Sequence, residues 1–230
     1  MCSFHNGSWR APASSVAIRE RLAGPVLAKP SRDLAHVEKL LKRLGLGWLV
    51  RRAPAKGIWA AYLFINGFLS IALLSVLAVV TGVPFVFPSL GPTAYQLFFS
   101  PRAGVSAPRN TLIGHAIGLI CGYGAFRLTG VPPFISVALA DFDWRLVIAA
   151  AVSLAATAAL MILLDASHPP AGATTLIVSL GIITRPLYLV IIEIAVFLLV
   201  VQAFCFNRLA GLHYPVWRAT NPLEQHSLKR

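Results

Sequence analysis

Charge is scarce in this chain, and acidic charge scarcest. Of 230 residues 12% are charged, and 8 Asp and Glu stand against 20 Lys and Arg. Soluble domains carry about 25% charged residues. Half that share, with 57% hydrophobic residues and a mean hydropathy of +0.73, argues against an ordinary soluble surface. Cysteine is nearly as rare. Cys2, Cys121 and Cys205 are spaced too widely for a metal pattern or a disulfide framework and read as small apolar packing residues. No Walker loop, HExxH, CxxC or nucleophile–base pair occurs. The residues therefore point to no enzyme, no metal centre and no cofactor.

Long apolar runs are abundant. Residues 58–80 carry no charge, and 146–164 are similar; 187–206 are interrupted only by Glu193. About 20 such residues suffice to cross a bilayer. A fourth run, 111–126, is shorter and Gly-rich and contains His115, as expected of a span packed against protein. Eleven of the 20 basic residues lie before residue 58. In this setting a cytoplasmic tail touching anionic lipid is the better reading than nucleic-acid binding.

The sequence divides into a basic tail (1–56), a membrane domain (57–207) and a short polar tail (208–230). Residues 1–30, rich in Ala, Ser, Pro and Arg, read as a disordered tail or a targeting segment. Leu34, Val37, Leu41 and Leu44 recur at helical spacing and predict an amphipathic basic helix over 33–49, lying in the interface or packed on the cytoplasmic face. Both termini are expected in the cytoplasm of a bacterial inner membrane, with a chloroplast envelope as the alternative.

Two apolar pieces, 83–99 and 168–183, are short and broken by proline. Pro88, Gly91 and Thr93 form P-x-x-G-x-T, and so do Pro169, Gly172 and Thr174, offset by 81 residues at each position. Each copy follows a span and precedes another, which predicts an internal repeat of span, half-helix, span over about 57–127 and 144–207. The fold class expected is an all-α integral membrane protein with four transmembrane helices plus two re-entrant or broken half-helices. Re-entry would make the repeats parallel with four spans; full crossing would make them inverted with six. Span lengths favour re-entry. Irregular backbone at membrane depth is tolerated where it is buried in protein or lines a cavity, and interrupted segments at matched positions mark transporter sites. Two helix N-termini with unpaired N–H groups would favour an anion. Ser89, Thr93 and Thr174 would add hydroxyls, and Gly91 and Gly172 would permit close backbone approach.

His168 opens the second broken element, three residues after Asp165, so the two could meet at a helix end. It could bind charge or pass a proton, or fill a gap beside a cap. His115 reads as an interhelical partner or as a companion of His168. Glu193 and Asp165 could couple protons. Arg102 and Arg109 could recruit an anion or mark the interface.

Ser167 to Thr174 (SHPPAGAT) resembles the signature of the HPP family of integral membrane proteins. Phe87 to Ala94 (FPSLGPTA), Pro108-Arg109-Asn110 and Gly114-His115 also resemble that family's pattern. The likeness runs from about 57 to 207. It implies a small membrane domain of about four transmembrane helices and, from members associated with nitrite transport, a carrier or channel for nitrite or a similar anion. The expectation is thus transport of a small monovalent anion by an oligomer of this chain in a lipid membrane. The site would comprise His168, Thr174, Gly172, Ser89, Gly91, Thr93 and His115. The rival is a non-transporting scaffold or sensor acting through its basic N-terminal tail.

Overall fold

The computed structural model describes residues 31–43, 54–132 and 143–219. The tail segment 1–30 and the end of the expected amphipathic helix lie outside the described residues. Within them are seven α-helices: α1 (Ser31–Arg43), α2 (Ala55–Thr81), α3 (Leu90–Phe99), α4 (Pro108–Thr129), α5 (Trp144–Leu163), α6 (Ala171–Ser179) and α7 (Pro186–Leu209). A short 3-10 turn, Gly104–Ser106, precedes α4.

Helix punctuation follows local chemistry. Pro108 and Pro186 occupy the first turns of α4 and α7, where a missing N–H costs nothing. Gly82 and Gly130 close α2 and α4 in the left-handed region, at φ 66° and 64°. Asp143 caps α5 by accepting the Arg145 amide. At the other end of α5 the left-handed residue is Asp165, φ 48°. Its amide reaches the Ile162 carbonyl while that of Ala166 reaches Met161. Asp165 is exposed at this wound end.

Helices α2, α4, α5 and α7 are long and apolar enough to cross a membrane. Their outward residues are as apolar as their inward ones: Phe64, Phe68, Val80, Leu163 and Leu187 are all exposed. A face of this kind is stable against lipid and not against water. The chain is an all-helical membrane protein, with no strand among the described residues.

The beginnings of α2 and α4 and the ends of α3, α5 and α7 gather at one level, here termed the proximal side. Asn207 near the end of α7 accepts from the Tyr62 hydroxyl, 2.9 Å, and donates to the Leu97 carbonyl of α3, 3.3 Å. Arg109 in the first turn of α4 donates to the carbonyls of Leu164 and Asp165, at 3.0 and 2.7 Å. The residues after α7 fold back here too. The Tyr214 hydroxyl donates to the Ser106 carbonyl, 2.8 Å, and the Arg109 amide to the Trp217 carbonyl. Helix α1 joins the same side, with His36 against Gly211.

These contacts fix the course of the two broken pieces. Segment 164–181 begins beside Arg109 and then climbs α4. A Cβ added at Gly118 would stand 2.8 Å from the Ala171 carbonyl oxygen, and one at Gly122 would stand 2.6 Å from that of Thr175. It finishes at Gly181, against Val131 and Pro132 beyond the end of α4. Segment 82–99 likewise begins at the far end of α2 and finishes at Leu97, held by the residue that also binds Tyr62. Each piece thus runs alongside its neighbours from one end of the helical layer toward the other. A half-helix of 9 or 10 residues reaches only about 15 Å. The non-helical lead-in supplies the remaining depth, which a count of helical residues does not register.

Candidate functional site

The middle of this helical layer is polar. Thr93, His115, His168 and Thr174 are all fully buried, and their surroundings are built from four elements. His115 projects from α4 between the two half-helices. Its Nε2 lies 2.9 Å from the Thr93 hydroxyl of α3, and its Nδ1 lies 2.7 Å from the Thr174 hydroxyl of α6. Those two threonines are the matched final positions of the two P-x-x-G-x-T stretches.

Hydrogen-bond accounting selects the tautomer. The Thr93 hydroxyl donates to the Ser89 carbonyl, 2.9 Å. Its oxygen is therefore the acceptor for a proton on His115 Nε2. That leaves Nδ1 as a bare nitrogen, which accepts from the Thr174 hydroxyl. A neutral ring thus satisfies both nitrogens and links α3 to α6.

The His168 ring lies against that of His115, tilted by 50° with centroids 5.1 Å apart. Gly114 makes room for it, since a Cβ there would lie 2.8 Å from that of His168. His168 Nδ1 is 2.7 Å from the Val105 carbonyl and a longer 3.4 Å from the Thr111 hydroxyl. A carbonyl only accepts, so Nδ1 carries the proton. In the neutral ring Nε2 is then a bare lone pair, buried without a hydrogen-bond partner among the described residues. The hydroxyls of Ser89 and Thr175 are equally buried and equally unpartnered.

The backbone contributes less than the sequence reading expected. In the first turn of α6 the amides of Ala171, Gly172 and Ala173 donate to the carbonyls of His168, Pro169 and Pro170, each at 3.0 Å. In α3 the amides of Leu90 and Thr93 are also used. Tight proline turns bring these carbonyls within reach, and these N–H groups are engaged within their own turns.

Other expected residues fall elsewhere. Gly91 is exposed, with nothing within 4 Å of an added Cβ, and Gly172 faces Leu154. The close approaches belong to Gly114, Gly118 and Gly122. Their G-x-x-x-G-x-x-x-G spacing was the available signal, because small residues four apart share one helix face. Arg109 spends its guanidinium on the carbonyls that end α5 and on Asn110. Arg102 lies half-buried in the loop between α3 and α4. Asp165 is exposed, and Glu193 stands on α7 with one buried, unpartnered carboxyl oxygen and no contact to the histidine pair. Thr111 joins the cluster through His168 without having been singled out, since a threonine in an apolar run carries no mark of its partner.

A family model described as HPP, transmembrane region, matches residues 52–215, most of the chain. No curated protein and no solved structure matches it.

Proposed function

The chain belongs to the HPP family of integral membrane proteins, and from that premise we propose that it transports a small monovalent anion, nitrite first, through the polar centre around His115. The observation that carries this reading is the bridge itself. One buried imidazole binds the equivalent threonine of each broken helix. Interrupted helices meeting at mid-depth are a transporter device. A fully buried cluster of histidine, threonine and serine hydroxyls, with no carboxylate in contact, suits a negatively charged ligand. The N-terminal, positive ends of the two half-helices approach the centre from opposite sides and both favour negative charge.

The two halves form an inverted repeat. Helices α2 and α5 cross in opposite senses, each followed by a broken crossing and then by α4 or α7. Such a pair can rock about the shared site and expose it to either side. Lys39, Lys42, Arg43, Arg102, Arg109 and Arg208 lie proximally, whereas Arg127, Arg145 and Arg185 lie distally. That bias favours a cytoplasmic proximal side, in a bacterial inner membrane.

The test is nitrite uptake into proteoliposomes, with nitrate, chloride and formate as competitors. Wild-type protein should accumulate nitrite above protein-free vesicles, and His115→Ala should reduce the initial rate at least tenfold. Absence of uptake for every anion would sink the transport reading and favour a membrane module that works through its basic tail.

A further inference from the structure

We propose that the site takes its anion together with one proton, which binds His168 Nε2. This rests on the anion-transport reading and adds its coupling. The argument starts from hydrogen-bond direction. Val105 fixes the His168 proton on Nδ1, at 2.7 Å from a carbonyl that only accepts. The remaining nitrogen, Nε2, is buried without a hydrogen-bond partner among the described residues, and in the neutral ring it is a bare lone pair. A lone pair facing an anion repels it. The same nitrogen carrying a proton becomes a charged donor, the strongest kind of hydrogen bond available there.

Other groups do not neutralise an anion at this place. The buried hydroxyls of Ser89 and Thr175 have no partners among the described residues and can each donate one bond, but they carry no charge. The amides of Leu90, Thr93, Ala171, Gly172 and Ala173 are engaged with carbonyls of their own turns. Burying an uncompensated charge is very costly. The elements packed around His168 offer few alternatives. From α4 come His115, in ring contact, and Arg109, whose guanidinium holds the Leu164 and Asp165 carbonyls. The 3-10 turn presents the Val105 carbonyl, and Arg102 lies in the loop just before it. Helix α5 presents Met161, its sole charged residue being Arg145 in the first turn, and α3 and α6 carry no charge. Asp165, on the loop of His168 itself, is exposed.

His115 cannot take this role without loss, because both its nitrogens already hold threonines. His168 can. The proton comes from the aqueous phase on the side where the anion enters, forms an N–H bond at Nε2, and leaves with the anion on the other side. No net charge crosses per cycle.

The experiment titrates nitrite calorimetrically into the purified full-length protein in detergent near pH 7, in buffers of different ionisation enthalpy. Wild type should take up close to one proton per nitrite bound. His168→Asn retains a donor at the Nδ1 position for Val105 and lacks the basic nitrogen. It should elute as folded protein, bind nitrite at least tenfold more weakly and take up no proton. Nitrite binding by wild type with no proton uptake would overturn the coupling while leaving the transport reading intact, as would proton uptake undiminished in His168→Asn. If wild type binds no nitrite, and neither formate nor nitrate, both readings fall together.

Discussion

Thr93 and Thr174 lie 81 positions apart in the chain, on two different half-helices, yet their hydroxyls meet opposite nitrogens of the same imidazole. His115 is thereby the fastener between the two broken crossings as well as the centre of the proposed site.

Removing either hydroxyl should be felt as stability. Thr93→Val or Thr174→Val leaves a buried ring nitrogen unpaired, at a cost of about 1–3 kcal/mol. The double variant should cost less than the sum, because both bonds belong to one ring. Chemical denaturation in detergent micelles measures this, with Thr→Ser at each position as the conservative control. Full additivity would mean the two bonds do not act through His115.

The α4–α6 contact predicts a sharp contrast among glycines. Gly118→Ala and Gly122→Ala would drive a methyl to 2.8 and 2.6 Å from backbone oxygens, and both proteins should fail to accumulate folded. Gly124→Ala meets nothing within 4 Å and should gain up to about 1 kcal/mol from helix propensity. Thermal aggregation profiles of the three proteins decide the matter.

Arg109 is expected to act as a brace for the end of α5 and not as a recruiter of substrate. Arg109→Ala should lower stability by about 1–3 kcal/mol, the cost of charge-assisted bonds, while leaving the nitrite KM of the surviving folded fraction unchanged. A several-fold rise in KM without loss of stability would restore the recruiting role.

Asp165 supplies a fourth test. Its backbone sits at φ 48°, a region glycine occupies without strain. Asp165→Gly should match or exceed wild-type stability and keep nitrite uptake. Asp165→Val should be destabilised by about 1–2 kcal/mol. Loss of uptake in Asp165→Gly would instead make its carboxyl part of the proton path.

The four spans and the two breaks were legible in the sequence for the same reason. Hydropathy accumulates along a run, and proline interrupts a helix wherever it sits. The pairing of P-x-x-G-x-T stretches also led to Thr93 and Thr174, because it located equivalent positions without requiring their partner. The partner was legible only in part: His115 was assigned to the same site and as a possible companion of His168, but not as the bridge between the two threonines. A histidine among glycines in 111–126 says that something approaches closely, and only the fold says what. Re-entry was favoured because helical residues were counted toward membrane depth and the lead-ins 83–88 and 164–170 were not. The free amides of the half-helices were expected from the general case of a helix start, and the proline turns at His168, Pro169 and Pro170 engage those of Ala171, Gly172 and Ala173 locally.

The polar ties of this protein span unequal stretches of chain. Thr93 finds His115 after 22 residues, His115 finds Thr174 after 59, and Tyr62 finds Asn207 only after 145. During synthesis the first helix therefore reaches the bilayer long before its partner exists. The Tyr62 hydroxyl must be satisfied meanwhile by water, by headgroups or by the insertion machinery. The ribosome sets the order in which the bundle can lock, and the last helix to emerge closes the contact that the first one opened.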